Sequence, residues 1–534
     1  MRRIIAAAVA LVGAAATVLA STPAARATAP PTTTTTTTLP NARMVQGYTS
    51  DPRYVNTPGA IYQDLKQGLP LERVGGGTAA DHRQIPKNMA DAERIAAAAK
   101  DTYTADADAD AYTGSRTRFA SPFNWQTCRD NQDKSGATGG WVRDHFAYCQ
   151  AGKTWAQVWY GACPGPDCKD SYIEAKVWVV GYGKAGAVPG SNDDRYVEFQ
   201  QRVTEFNYAG ADKGELWKRY PTTLAMKMEC KAVPGSTGAC NEGNRNGRTA
   251  TVDEWVAADG FTESQFVSPA KTASAANGEQ LVRAVANPWY SFAVGGYTPA
   301  PEFTRGGETG VRFDSAWYMY KVAKKGSIFD RVAPFIAFSN RADSGYKIAA
   351  DHLQKALTRP GETKPPFTDK QIPGSAASDP LHRLYKGISE KNRLRYNRNY
   401  QEAVKACNQW FPGWQTQNDT DGKKKQCDEF PFRSTYEGVA RSMTDYENDL
   451  GGAKYANMFS VQPLSGPQNV AAGGLLCRFY SDDRILNMDA FHVKVRAPET
   501  VLPNKAALAP KATAQDPTDP DDPDEITCGN ADGT

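Results

Sequence analysis

The chain has 534 residues, 62 Lys and Arg against 59 Asp and Glu, and 40% hydrophobic residues. That length excludes a single small core and leaves room for roughly two to four domains. A net charge of +3 excludes a global polycation, so a nucleic-acid partner has to be argued from local clusters.

Arg2 and Arg3 precede an apolar stretch from Ile4 to Ala20, and Ala25-Arg26-Ala27 and Ala27-Thr28-Ala29 offer small-residue cleavage patterns. Residues 1–29 are therefore expected to be a secretory signal peptide. No later stretch is apolar and long enough to span a bilayer. The expectation is a secreted, extracellular chain with no membrane attachment once the signal is removed. Ten cysteines suit that oxidising destination. Six are Cys128, Cys149, Cys163, Cys168, Cys230 and Cys240, and four are Cys407, Cys427, Cys477 and Cys528. An even count in each group lets disulfides stay within a domain. Cys163 and Cys168 surround Pro-Gly-Pro, and Cys230 and Cys240 flank a Gly/Ser loop, so both read as small loop staples. A zinc site at the first pair would need a second close pair with nearby His, which is missing. The four C-terminal cysteines allow three pairings.

Residues 30–47 form a Thr/Pro linker with no means of making a core. Residues 48–110 read as a partly helical connector, with a helix over 88–100. The run Thr104 to Asp110 alternates Asp with small residues. It lacks the glycine and closing glutamate of a calcium loop and reads as a solvated connector.

From 111 to 345 the pattern is β. Alternating or aromatic-rich runs cover Glu174–Gly181, Arg195–Tyr208, Thr223–Glu229, Val311–Tyr320 and Phe329–Phe338, punctuated by Gly, Pro and Asn. Antiparallel hairpins in a sandwich or barrel are expected, a sandwich-like domain being preferred. The aromatics read as core. His145 stands beside Asp144 with no nucleophile to join it, and reads as structural. A helix over Tyr346–Leu357 ends at Arg359-Pro360, and Pro, Gly, Ser and Lys dominate up to 378, so 346–378 reads as helix and linker.

The last domain is expected over 379–500, with an acidic, disordered tail from 501 to 534. Its opening is basic: Arg383, Lys386, Lys391, Arg393, Arg395 and Arg398. Tyr385, Tyr396, Tyr400 and Trp410 lie among them. Lys423, Lys424 and Lys425 form a second cluster directly before Cys427-Asp428-Glu429-Phe430-Pro431-Phe432-Arg433-Ser434-Thr435-Tyr436-Glu437-Gly438. Pro431 stiffens this stretch and holds Phe430 extended. Hard carboxylate oxygens on stiff backbone, framed by cations, suit a divalent ion and a phosphodiester. Leu475, Leu476 and Phe479 predict a short helix from about Asn469, and Phe491–Val495 an alternating strand with His492 turned out of the core.

Asp428-Glu429-Phe430-Pro431 followed by Glu437-Gly438 resembles the signature of the NucA/NucB-type secreted bacterial deoxyribonucleases. Pro380-Leu381-His382-Arg383 and Asn397-Arg398 look like the entry of secreted multidomain members. The Gln468-Asn469 turn, the small-residue helix after it and an Arg484-Ile485-Leu486 strand complete the order. At Val470 the chain departs from the Arg that members often carry. The resemblance covers about the last quarter of the chain. It implies a small α+β domain of the ββα-metal type, in which a strand pair and a helix clamp one divalent ion against the scissile phosphate, and acidic residues replace the usual histidine base. The fold expected is thus multidomain, a β-rich sandwich-like domain followed by that nuclease domain.

Carried onto this chain, the resemblance implies a metal-dependent endodeoxyribonuclease with DNA as substrate and little sequence specificity, using Mg²⁺ or Mn²⁺. Asp428 and Asn469 are the metal candidates. Glu429 and Glu437 compete as the base that takes a proton from water. Arg433 faces the phosphorane charge. Lys423, Lys424 and Lys425 hold backbone phosphates. The alternatives are an exported adhesion or glycan-binding β-domain protein carrying a degenerate nuclease-like domain, and a nuclease toxin. The sequence names no protein partner.

Overall fold

The computed structural model describes residues 42–68, 123–136, 139–161, 169–185, 195–257, 260–269, 279–295, 304–316, 318–319, 325–443 and 451–496. The expected signal peptide, the threonine run, the helix over 88–100, the run 104–110, Cys163, Cys168 and the tail with Cys528 lie outside them.

Two antiparallel sheets of seven strands each face one another. The first runs Arg43–Thr49, Ala147–Tyr160, Lys169–Tyr182, Tyr196–Ala209, Phe261–Val267 and Asn241–Asn246, with Trp141–Asp144 beside Ala147–Tyr160. The second runs Lys184–Ala185, Lys325–Ile328, Thr309–Ala316, Glu279–Val294, Thr222–Ala232 and Arg248–Thr251, with Thr304–Arg305 on Glu279–Val294. Strict alternation explains the packing. Val158, Ile173, Ala175 and Val203 of the first sheet meet Leu224, Met226, Tyr290 and Phe292 of the second. Val179, Phe199 and Phe266 meet Met228, Val282, Val311 and Phe313. The first sheet buries its other face too, because Tyr54, Ile61 and Tyr62 from two short helices cover Trp155 and Tyr172. Cys230–Cys240 closes its loop as the spacing predicts, and Cys128–Cys149 ties a short helix to the first sheet. Residues 43–49, expected to straddle linker and connector, are a strand of the first sheet, paired with Lys153–Trp159.

The run Phe329–Phe338, which reads as one strand, is divided between two regions. Phe329 packs in the sandwich core. After Pro334, the strand Phe335–Ser339 pairs in parallel with Ala490–Arg496, and Leu381–His382 pairs on the far side of that strand. The helix Lys347–Thr358 then lays Ala349, Ala350, Leu353 and Ala356 into the core formed with Leu381, Phe430, Leu464, Leu475, Phe479 and Phe491. Both elements stand before residue 379 in the chain, yet they belong to the C-terminal core. The Pro/Gly/Ser stretch that reads as linker is stitched down as well. Ile372 is buried, Lys364 O accepts from Val461 N at 2.8 Å, and the buried Lys370 Nζ donates to Thr363 Oγ1 at 2.7 Å and to the carbonyl of Pro365 at 2.9 Å.

The remaining elements are the long helix Glu390–Trp410, the hairpin Lys425–Phe430 with Ser460–Ser465, and the helix Gly466–Asp482 directly after it. Ser389 caps the long helix by accepting from Asn392 N at 3.1 Å. Cys407–Cys427 ties that helix to the hairpin. The second helix starts at Gly466, ahead of Asn469, with Pro467 in its first turn. Arg484-Ile485-Leu486 is not a strand. It is loop, because Arg484 is tied into the sandwich and adopts a left-handed φ of 52°. His492 does not face solvent. It is buried, with the ring of its cross-strand partner Phe335 lying against it at 5.3 Å between centroids.

The two regions meet through buried charge. Arg312 Nη1 donates to both oxygens of Asp489 at 2.7 and 2.6 Å, and its Nη2 to the carbonyl of Arg484 at 2.8 Å. Arg484 in turn pairs with Asp314, and both are wholly buried. His145 Nδ1 donates to the carbonyl of Asp483 at 2.6 Å, the structural role its isolation predicts.

Candidate active site

The hairpin strand Lys425–Phe430 carries the acidic motif. It pairs on one side with Ser460–Ser465 and has no other strand partner among the described residues. A cavity of about 650 Å³ runs along this open edge. Lys425, Gln426, Cys427, Asp428 and Glu429 all line it, and no residue of the partner strand does. The other walls come from the long helix (Tyr396, Tyr400), the segment 383–386, the helix Gly466–Asp482 (Asn469) and the loop carrying Arg433.

Adjacent positions on a strand point to opposite faces. Asp428 therefore leaves the strand with Phe430, toward the helix Lys347–Thr358. There His352 Nδ1 donates to Asp428 Oδ2 at 2.6 Å, and His352 Nε2 lies 2.7 Å from the Ser460 hydroxyl. His352 is only 2% exposed, so this pairing is shielded from water. Full burial of Phe430 stabilises the strand by about 2–3 kcal/mol and holds Asp428 in place.

Glu429 leaves on the other face, toward the long helix. Its Oε1 accepts from Arg433 N at 3.1 Å. The carboxyl is pushed up to about 8, chiefly by burial and further by the carboxylate of Asp428, with Arg433 opposing. Arg433 lines the cavity with its guanidinium 4.1 Å from the Tyr396 ring centroid and 4.6 Å from that of Tyr400. Its Nε donates to the Tyr396 carbonyl at 3.3 Å.

Glu437 stands apart. It does not line the cavity and is 1% exposed. Its Oε1 accepts from His382 Nδ1 and its Oε2 from the His382 backbone N–H, each at 2.8 Å. The adjoining Gly438 has a structural cause. The buried Asn399 amide reaches across to donate to the carbonyls of Arg433 and Thr435 at 2.9 and 3.1 Å and accepts from Ala440 N at 3.0 Å. A Cβ at Gly438 would run into that amide.

Asn469 lines the cavity, and its Nδ2 donates to Gln426 Oε1 at 3.3 Å. That bond fixes the amide so that Oδ1 is the oxygen left for a ligand. Of the lysine cluster, Lys425 lines the cavity, while Lys423 and Lys424 are exposed on the preceding loop. No group of three His, Cys, Asp or Glu side chains placed to hold a metal occurs among the described residues.

The sequence reading missed His352 and Asn399. His352 had a usable signal, since it is the one polar residue on the buried Ala349, Leu353, Ala356 stripe of its helix. Asn399 sits four residues before Ala403 on the buried face of the long helix, where a buried amide needs partners.

Residues 380–494 match the family model described as Deoxyribonuclease NucA/NucB. No curated protein and no solved structure matches the chain. The matched segment holds the hairpin, the long helix and Asn469. It does not include His352, or Tyr318 and Met319, which also line the cavity.

Proposed function

We propose that the C-terminal domain hydrolyses DNA phosphodiesters in the cavity along the hairpin edge, with little sequence specificity, after export of the chain. The observation that carries this reading is that the acidic pair of a deoxyribonuclease-family segment lies on a cavity wall among cations and aromatic rings.

The donor set suits a hard divalent ion. Asp428 keeps one carboxylate oxygen beyond the one His352 holds, and Asn469 presents its amide oxygen on the same cavity. Mg²⁺ sites take one or two carboxylates and fill the remaining positions with water and phosphate oxygens. Asp428 and Asn469 would hold Mg²⁺ or Mn²⁺, and the ion would supply Lewis-acid polarisation of the phosphoryl group. The order of hairpin then helix supports the ββα-metal type.

Glu429 takes the proton of the attacking water, because it lines the cavity and a cation on the neighbouring Asp428 would keep its carboxylate ionised. As the water oxygen bonds to phosphorus, one P–O ester bond breaks and the leaving oxygen takes a proton from solvent. Arg433 faces the developing charge, already positioned by two tyrosine rings. Lys425 holds phosphate at the cavity, and Lys423 and Lys424 hold it outside. Both oxygens of Glu437 are engaged by His382, so it braces the strand Leu381–His382 rather than acting as base.

Plasmid nicking with the full chain, with and without EDTA, tests the reading. Asp428→Asn and Glu429→Gln are each expected to lower the rate about 10²–10⁴-fold with an unchanged circular dichroism spectrum. Full activity in both variants removes the assignment.

A further inference from the structure

The cavity is not built by the nuclease segment alone. Tyr318 and Met319 follow the sandwich strand Thr309–Ala316 and line it too. The Tyr318 ring stacks on Tyr385, with centroids 3.6 Å apart and planes 20° from parallel. The Tyr318 hydroxyl bonds Glu279 of the sandwich and accepts from Asn487 N of the C-terminal domain at 2.8 Å. Both regions thus fix this ring. The Arg383 guanidinium lies 5.1 Å from the Tyr318 centroid and 4.4 Å from that of Tyr480. Across the cavity stand Arg433, Tyr396 and Tyr400.

Interleaved rings and guanidinium groups recognise an unstacked base and its phosphates. The bases of a duplex are stacked on their own neighbours and offer no face to such rings. The cavity's volume of about 650 Å³ has room for a nucleotide. Glu429 is reached through this space.

We propose that the cavity is a subsite for one unpaired nucleotide of a single DNA strand, with Tyr318 of the sandwich a specificity-determining part of its wall. The nuclease therefore prefers single-stranded or locally opened DNA over duplex. This rests on the nuclease reading above.

The test uses the full chain, a fluorescein-labelled oligothymidine-rich strand, and the same strand annealed to its complement. Cleavage of the single strand is expected to exceed that of the duplex by about 10-fold or more in kcat/KM, the size of one base stacked on an aromatic ring. Tyr318→Leu should bring the two substrates together through KM with kcat kept, whereas Tyr318→Phe, which keeps the ring, should hold the preference. If Tyr318→Leu does not fold, Tyr385→Leu, whose ring stacks on Tyr318, carries the same expectation. DNA cleavage with equal rates on both substrates overturns the subsite and leaves the nuclease reading standing. If no DNA is cut with any divalent ion, the nuclease reading falls. Fluorescence anisotropy in EDTA then decides the subsite by itself. Binding of the single strand that Tyr385→Leu weakens supports it, and no binding overturns it.

Discussion

The sandwich and the C-terminal domain handle buried charge in different ways. In the sandwich, buried ions answer one another at close range: Lys153 on Glu174 at 3.0 Å, Arg143 on Asp144 at 3.2 Å, Arg283 on Asp330 at 2.7 Å. Such pairs specify packing and leave little charge for a ligand. Along the hairpin of the C-terminal domain, guanidinium groups lie on tyrosine faces instead, and Asp428 and Glu429 are held by a histidine and a backbone N–H. Arg433 there also donates its Nε to the Tyr396 carbonyl at 3.3 Å. Buried charge thus meets opposite charge in the sandwich, and ring faces, a histidine and backbone groups along the hairpin.

The network Arg312–Asp314–Arg484–Asp489 belongs to the first kind yet joins the two regions, so it gives the sharpest test. Arg312→Met leaves Asp489 and Asp314 short of a buried partner. It is expected to destabilise the chain by about 3–5 kcal/mol, read from urea unfolding. Two separated transitions would show that the regions melt apart once this charge is lost, and an unchanged midpoint would break the comparison.

Titration sharpens it next. His492 lies under Phe335, where the two regions join, and burial together with Lys494 holds its imidazole down to about 4. The folded value is below the unfolded one near 6.5, so the folded state binds fewer protons. Stability is present above about pH 6.5 and falls as pH drops toward about 4, by up to about 3 kcal/mol. His492→Phe should flatten that part of the pH profile in thermal melts, and an unaltered slope would assign the acid sensitivity elsewhere.

Of intermediate size, His352→Gln should lower nicking about 10–100-fold on the role proposed for Asp428, since His352 holds that carboxylate. A raised metal requirement with near-normal saturated rate would identify His352 as a positioning residue, because a purely structural loss would not move metal dependence. Smallest in effect, Gly438→Ala forces the Asn399 amide aside and should cost about 1–3 kcal/mol, measured by thermal melting. Combining it with Asn399→Ala should then cost less than the sum of the two.

Part of this was legible from residues alone. Alternation located four of the fourteen described sandwich strands, Lys169–Tyr182, Tyr196–Ala209, Thr222–Ala232 and Thr309–Ala316, because a half-buried strand must repeat every second residue, and it missed Ala147–Tyr160, which is buried on both faces. The Gly/Ser loop between Cys230 and Cys240 announced its staple. Legibility failed where one run served two cores, as at Phe329–Phe338. It failed again where Pro and Gly composition, usually a sign of free loop, covered a stretch tied down by Lys364, Lys370 and Ile372.

The sequence by itself determined the local patterns: strands, helices, the acid-aromatic-proline motif and the family to which its segment is similar. These depend on periods of two or about 3.6 residues and on turn chemistry, which neighbours in the chain dictate. Only the tertiary structure decided that Asp428 turns to a histidine 76 positions away, that Glu437 turns to His382, and that a sandwich tyrosine walls the cavity. Such pairings arise when separate apolar faces close on one another, and no local repeat records which face will meet which.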